Sequence, residues 1–393
     1  LTRILYAEDA PSVGGSTVCL LELVSRLDRS AYRPFVLFRH NLSLRGEFDR
    51  SGIPNATWAS VRGEPEDTLP DTLQPGAAPA FKKSTPYRLF RSVRLYAYED
   101  RPAVDWLAGW MRAEGFSLVH ANNAVAANLA AIAAASRAGK SVVSHQRGYF
   151  RHTAFHRFMS RDVARFIGIS DAIAEDFANQ GFPRERTSIV YDGIDVESLR
   201  PRARAAGAPV LIGWFGRLVA WKGADTFVDA AGLVLEKRPE TRFIVVGDGP
   251  ELPRLRGKIA RDARTAAAVE LAGFRVDARD LMARCDIFVN SSIEPEPLGH
   301  SALEAAAFGI PLVASRCGGL TEIVVDGEDG SLFTPGNAAE LAGRLLALID
   351  DAALRASLGA GARRRAESRF SLTRHVRAIE TIYAEILENR SGA

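Results

Sequence analysis

Two carboxylates, Glu296 and Glu304, have seven residues between them in the string EPLGHSALEAAAFGIPLVAS, Glu296 to Ser315. A Pro-Leu-Gly turn follows the first, an Ala-rich helical pattern carries the second, and Gly309-Ile310-Pro311 stops it. The apolar run Ile287–Val289 lies ahead of both. This order predicts a strand, a tight turn and a helix N-terminus. Glu296 then sits at the turn and Glu304 about two turns on, at roughly 3.6 residues per turn. After Pro297, the amides of Leu298, Gly299, His300 and Ser301 lack helical acceptors and make an anion site. An anion flanked by two carboxylates that accept from hydroxyls matches a sugar-nucleotide, a diphosphate with a polyol at each end.

Cations suited to that anion lie upstream. GRLVAWKG places Arg217 and Lys222 just after an apolar strand ending at Phe215. Arginine binds a diphosphate bidentately and lysine acts as a point charge. Gly14-Gly15-Ser16 lies between the first strand and the first helix, where glycine lets backbone approach a phosphate or sugar. A second turn, Gly247-Asp248-Gly249-Pro250, also follows a strand, and Gly318-Gly319 with Glu322 follows a strand ending at Ser315. The plain alternative is that Glu296 is a turn residue, Glu304 a solvated helix residue, and the two cations surface charges. The joint occurrence of all four weakens it.

Repeated strand–helix alternation must position these groups. Strands are expected at Ile4–Ala7, Arg33–Phe38, Leu118–His120, Ser141–His145 and Phe166–Ile169, with a helix over Thr17–Leu27. The series restarts with Val210–Phe215, a helix over Thr226–Glu236, then Arg242–Val246, Val269–Ala272 and Ile287–Val289. The expectation is an α/β chain of two doubly wound, Rossmann-like domains, with ligands at the carboxyl ends of the strands and a cleft between the domains. The linker is expected near 195–208, around Arg200-Pro201-Arg202. The domains are then 1–200, with a closing helix of about 372–390 packing back on it, and 201–371.

The 393 residues suffice for two such cores, and 47% hydrophobic with 25% charged residues is ordinary for a globular protein. A net charge of +3 argues against nucleic acid. Cys19, Cys285 and Cys317 lack any metal spacing and read as small core residues in a reducing compartment. The apolar stretch Ala124–Ala135 is too short to span a bilayer. RILYAED opens directly as a strand with no visible leader, and the first residue is Leu, so the true start is expected upstream.

The set GGS, YDGID (Tyr191–Asp195), GRLVAWKG, VVGDGP, EPLGHSALE, CGGLTEIV and the late FSLTRHVRAIETIY (Phe370–Tyr383) resembles the family 4 retaining glycosyltransferases of the GT-B fold. The resemblance covers nearly the whole chain. It implies that Arg217 and Lys222 stabilise the departing diphosphate, with Glu304 on the ribose and Glu296 on a hydroxyl of the transferred sugar. The amides after Pro297 hold sugar and phosphate, while Gly14, Gly15 and Ser16 close the site from the N-terminal domain. Gly249 and Arg275 join the donor set, the base being met by backbone near Phe274-Arg275. His145, in SHQRG, matches a histidine near the reacting sugar, though a buried strand-end histidine is an equal reading. His120, in VHANN, reads as structural. The resemblance implies transfer with retention and without a metal, and the sequence has no Asp-x-Asp triplet. The implied co-substrate is a UDP- or GDP-sugar, with no further cofactor, and the implied acceptor is a glycan or lipid-linked glycan. A nucleotide-sugar epimerase and a non-catalytic sugar-nucleotide-binding subunit are the alternatives. Leu298, Asp192 and His300 depart from the family's usual Phe, Asn and apolar residue, and His300 could touch the donor sugar.

One segment breaks the rhythm. Residues 62–80 carry Pro65, Pro70, Pro75 and Pro79 among acids and are expected to be a long loop. Next, Lys82, Lys83, Arg88, Arg91 and Arg94 interleave with Phe81, Tyr87, Leu89, Phe90, Val93 and Tyr96. Leu89, Val93 and Tyr96 share the apolar face of an expected helix beginning at Thr85-Pro86. The segment 81–98 is either a solvated helix or one lying on an anionic membrane surface, sharing that surface with Arg147, Arg151 and Arg157. A cytoplasmic protein is expected, peripheral on the inner membrane face in the second case.

Overall fold

Apolar runs of four to seven residues are too short for stable helices and become strands once both faces are covered. In the computed structural model, residues 1–10, 14–64, 85–201 and 207–391 are described. The expected loop over 62–80 and the basic residues Lys82 and Lys83 lie largely outside them.

The chain divides into two units, Leu1–Tyr191 with the stretch from His375 onward, and Asp192–Arg374. The first unit holds a parallel sheet of β1 (Thr2–Glu8), β2 (Tyr32–Phe38), β3 (Asn55–Thr57), β4 (Leu118–Ala121), β5 (Ser141–Gln146), β6 (Arg165–Gly168) and β7 (Thr187–Ile189), in the order β3-β2-β1-β4-β5-β6-β7. The second holds β8 (Leu211–Phe215), β9 (Arg242–Val246), β10 (Val269–Gly273), β11 (Ile287–Asn290), β12 (Leu312–Ser315) and β13 (Gly330–Phe333), in the order β10-β9-β8-β11-β12-β13. Each sheet reverses its winding once, between β1 and β4 and between β8 and β11, and ligands favour the carboxyl ends of the strands at such switch points. The edge strands β3 and β7 have three residues each and no clear apolar run, so the sequence pattern missed them.

The unit boundary falls at Tyr191–Asp192, ahead of the Arg200-Pro201-Arg202 stretch expected to link the domains. Backbone pairing is the reason. The Ile194 amide donates to the Phe370 carbonyl (2.8 Å) and the Leu372 amide to the Ile194 carbonyl (2.9 Å), so this segment is already tied to the second unit. The helix Leu372–Ser391 then carries the chain back to the first unit. There the Tyr383 hydroxyl meets Nδ1 of His120 (2.6 Å) and donates to the Tyr6 hydroxyl (2.9 Å), with all three side chains fully buried.

Between β3 and β4 a helix, Thr85–Leu95, runs through a π-helical turn, Tyr96–Asp100, into the helix Arg101–Ala113. Nothing in Thr85–Leu95 is buried. Leu89 and Val93 are exposed, whereas Tyr96 packs edge-on against Phe155. Among the described residues no helix is long and apolar enough to cross a membrane. All three thiols are free, with Cys19 and Cys285 buried and Cys317 partly exposed.

Glu8, at the end of β1, is buried. Its carboxylate accepts from Asn122 Nδ2 and from the Ala10 amide at 2.9 Å, yet burial pushes its pKa up to about 7. The folded chain therefore binds more proton than the unfolded one between about pH 4.5 and pH 7. Stability contributed by this group falls as pH rises through that window. Glu8→Gln, neutral and of similar shape, should flatten this part of the profile. Thermal denaturation across pH checks it, and an unchanged slope in the variant would refute the assignment.

Candidate active site

The loops that follow β8 and β11 lie at the switch point of the second sheet and carry most of the expected donor residues. Lys222 ends a short 3-10 turn, Ala220–Lys222, closed by Gly223 in the left-handed region (φ 66°). A Cβ on Gly223 would come within 1.9 Å of the Ser291 carbonyl oxygen, so only glycine lets the two loops meet this closely. The same contact is pinned by hydrogen bonds. Trp214 Nε1 donates to Ser291 Oγ (3.0 Å), Ser291 Oγ donates to the Gly223 carbonyl (2.8 Å), and the Ile293 amide donates to the Trp221 carbonyl (2.8 Å).

With the loops locked, Lys222 Nζ meets both oxygens of Glu296, at 2.6 and 2.7 Å. Ser292 Oγ donates to Oε2 of the same carboxylate (2.8 Å), and Lys222 also lies over the Trp221 ring, 4.5 Å from its centroid. Glu296 is only 5% exposed, and the Gly319 amide holds its carbonyl at 2.7 Å. A lysine expected to face only a phosphate is therefore paired with the carboxylate expected to face a sugar. The ammonium has three N–H groups. Two face Glu296, which leaves one for an incoming anion.

Arg217 sits two residues past the end of β8. The turn Gly247–Pro250 packs under it: the Leu218 amide donates to the Asp248 carbonyl (2.8 Å), and Gly249 has φ 153°, where a Cβ would lie 2.3 Å from the Leu218 carbonyl oxygen. Arg217 is exposed and, among the described residues, its guanidinium forms no ion pair. It lines a cavity of about 450 Å³ with Gly216, Asp248, Phe274, Arg275, Ser301 and Glu304. Val246, Ala278 and Met282 supply an apolar wall. The volume and this mix of apolar surface with a few polar groups suit a small polar ligand.

The helix His300–Ala307 follows the Pro297-Leu298-Gly299 turn, with Gly299 as its cap. Ala302 is bonded back to the Gly299 carbonyl (3.0 Å), and the preceding first-turn amides have no intrahelical acceptor. Leu298 is 1% exposed, so its side chain is closed to a ligand. Glu304 Oε1 accepts from Arg279 Nε at 2.8 Å, while Arg275 is held bidentately by Asp277 at 2.7 Å. His300 Nε2 lies 3.0 Å from Oδ2 of the buried Asp192, which engages the ring that sequence reading offered to a donor sugar.

Gly14, Gly15, Ser16 and His145 belong to the first unit. Gly14 is extended and Gly15 starts the helix Gly15–Arg26 at the carboxyl end of the sheet. His145 is at the end of β5 as expected, but its ring is fully buried. Nδ1 lies 3.2 Å from His120 Nε2, within a polar chain that runs on to Tyr383. Burial holds the His120 pKa well below its usual range, so this chain is neutral at His120.

Sequence reading missed Ser292 and Arg279. Asn290-Ser291-Ser292 had a usable signal, polar residues at the carboxyl end of an apolar strand. Arg279 had none, because it is 25 residues from Glu304 and only the fold brings them together.

Comparison with known proteins agrees with this geometry. The family described as Glycosyltransferase Family 4 matches residues 13–198, and Glycosyl transferases group 1 matches residues 209–351. The chain belongs to the family 4 glycosyltransferases. The lipopolysaccharide core biosynthesis mannosyltransferase LpsB of Rhizobium meliloti (strain 1021) is 28% identical over 253 residues, 60% of this chain and 70% of the relative. LpsE of the same organism, a lipopolysaccharide core biosynthesis glycosyltransferase, is 32% identical over 222 residues, 56% of this chain and 62% of the relative. The crystal structure of Anabaena HepE in complex with UDP and glucose superposes with a TM-score of 0.76 at 24% identity, covering 98% of this chain and all of HepE. That likeness establishes the GT-B fold of this glycosyltransferase.

The locked loops make a direct prediction. Gly223→Ala should lower stability by roughly 1–3 kcal/mol, the cost of a strained residue. Gly232→Ala, in the helix Ala224–Leu235 where a Cβ meets only Thr265 at 3.7 Å, should be neutral or stabilising. Equal melting temperatures for the two variants would show that the loop contact is not constrained.

Proposed function

We propose that this glycosyltransferase moves a hexose-type sugar, with retention and without a metal, from a UDP- or GDP-sugar to a glycan or lipid-linked glycan. The observation that carries this reading is the single cavity lined by Arg217, Ser301 and Glu304, together with the Lys222–Glu296 pair. An arginine without an ion pair, a helix N-terminus and a carboxylate converge there, which suits a diphosphate attached to a ribose. Phe274 is 75% exposed at the rim and offers a face to a base.

In this reading Glu296 accepts from a hydroxyl of the donor sugar while Lys222 bridges to the phosphate. The transition state has oxocarbenium character and the diphosphate gains charge as it leaves. Arg217 and the remaining Lys222 N–H stabilise that charge, and the first-turn amides of His300–Ala307 add their dipoles. The acceptor hydroxyl attacks from the face the nucleotide leaves, and the departing phosphate takes its proton, so no enzymic base is needed. Support for metal independence is chemical: two cationic side chains supply the compensation a divalent ion gives elsewhere, and the sequence lacks an Asp-x-Asp triplet. His145 is proposed as a group behind the acceptor site, and Gly14, Gly15 and Ser16 as its closing edge. The LpsB and LpsE likeness supports a lipopolysaccharide-type acceptor.

Peripheral membrane contact is proposed through the helix Thr85–Leu95. Leu89, Phe90 and Val93 lie together on its exposed side, with Phe90 65% exposed. Apolar side chains beside a basic face suit an interfacial helix.

The test begins with calorimetry against UDP, GDP, ADP, TDP and their common sugar conjugates, without metal. One nucleotide-sugar should bind best, and no binding by any of them would withdraw the reading. Glu296→Ala should then cut transfer by roughly 100-fold or more while the nucleotide diphosphate still binds. Arg217→Ala should weaken diphosphate binding about 10- to 100-fold, as expected for losing a charge-assisted hydrogen bond of about 1.5–3 kcal/mol. Normal turnover in the Glu296 variant would sink its assigned role. Phe90→Glu with Val93→Glu should release the protein from anionic liposomes, and failure of the unaltered protein to sediment with them would end the membrane proposal.

A further inference from the structure

The first unit contains a second cavity, of about 550 Å³, that none of the donor residues enters. Arg88 and Arg91 reach it from the helix Thr85–Leu95, and Arg151 reaches it from the loop after β5. At roughly 100° per residue, Arg88, Arg91, Ser92 and Leu95 share one helix face, opposite Leu89, Phe90 and Val93. The cavity is lined by that first face. The basic residues expected to meet headgroups are thus divided, two arginines turning to the cavity and the apolar side chains turning away.

Three acids also line this cavity, Asp9, Glu99 and Asp100, and all three face Arg39. Arg39 binds Asp100 at 2.8 Å and Asp9 at 3.1 Å, with its guanidinium carbon 4.9 Å from the centroid of the Trp58 ring. Arg88, Arg91 and Arg151 form no ion pair among the described residues. Like charges three apart on a helix repel, and a third cation at the same cavity adds to the cost. With four arginines and three acids in the lining, one positive charge is left in excess, which a bound anion would offset. Three guanidiniums match the oxygens of a phosphate or carboxylate through bidentate bonds, and 550 Å³ accommodates a sugar as well.

We infer that this cavity binds the acceptor through an anionic group, so that the acceptor is a sugar bearing a phosphate or carboxylate. The inference rests on the glycosyltransferase reading above, and names the acceptor class for it. The test is calorimetry on the full chain with glucose 6-phosphate, glucuronate, glucose and inorganic phosphate as probes, at two salt concentrations. One of the charged sugars should bind, more weakly at higher salt, and glucose should not. The triple variant Arg88→Gln, Arg91→Gln, Arg151→Gln should bind that sugar at least tenfold more weakly, while Arg94→Gln, off the cavity face, leaves it unchanged. Unaltered nucleotide-sugar binding in the triple variant verifies that the fold and donor site persist. No charged-sugar binding by the unaltered protein, or equal binding by the triple variant, overturns the inference. So does inorganic phosphate binding as tightly as either sugar, which would make this a plain anion site. If phosphatidylglycerol vesicles are captured through these three arginines while charged sugars are not bound, the ligand is a lipid surface and the inference also falls. If the unaltered protein binds no nucleotide-sugar at all, the glycosyltransferase reading fails first. Donor binding without charged-sugar binding removes only the acceptor class.

Discussion

The pair between Lys222 and Glu296 organises the second unit. It joins the loop leaving β8 to the loop leaving β11, the two neighbouring strands between which the sheet reverses its winding. A parallel sheet opens a crevice at that point because the flanking connections leave to opposite faces. Lys222 is only 18% exposed and Glu296 6% by side chain, so neither charge would be tolerable alone. The pair is held by backbone packing around Gly223, by Ser291 and Ser292, and by the Gly319 amide. Arg217 stays outside this network and keeps its charge available. The site therefore combines a lysine held in place by its carboxylate partner with a guanidinium that forms no ion pair among the described residues.

The first unit places its polar groups differently. Tyr6, His120, His145 and Tyr383 form a buried chain of short polar contacts linking β1, β4, β5 and the C-terminal helix. Burial raises the hydroxyl pKa of both tyrosines and lowers that of His120, so the neutral forms are favoured. Buried polar networks of this kind favour one register of the elements that contribute to them. The C-terminal helix is thereby committed to the first unit although it begins in the second. Around the 550 Å³ cavity the logic reverses, since Arg88, Arg91 and Arg151 form no ion pair among the described residues and the lining keeps an excess of positive charge.

Much of the fold was legible in the sequence because parallel strands buried on both faces are nearly continuous apolar runs. Ile4–Ala7, Arg242–Val246 and Ile287–Val289 each mark a strand of the structure. The three-residue strands β3 and β7 carried no such run. The division at Tyr191–Asp192 lies ahead of Arg200-Pro201-Arg202 because Ile194 pairs with Phe370 and Leu372, far away in sequence, which no local composition shows. That Tyr96 packs on Phe155 while Leu89 and Val93 stay exposed depends on a neighbour the local pattern does not show.

The sequence by itself determined which residue types stand at strand ends and helix starts, since those positions are local. Arg217, Lys222, Glu296, Ser301 and Glu304 were all readable on that basis. It could not determine which charges meet. That Lys222 binds Glu296, Arg279 binds Glu304, and His300 binds Asp192 was decided by tertiary structure alone. The same holds for the division of the basic helix into a cavity face and an exposed apolar face. Ion pairing depends on distance through space, and the alternation of strands and helices leaves that distance open until the sheet order is set.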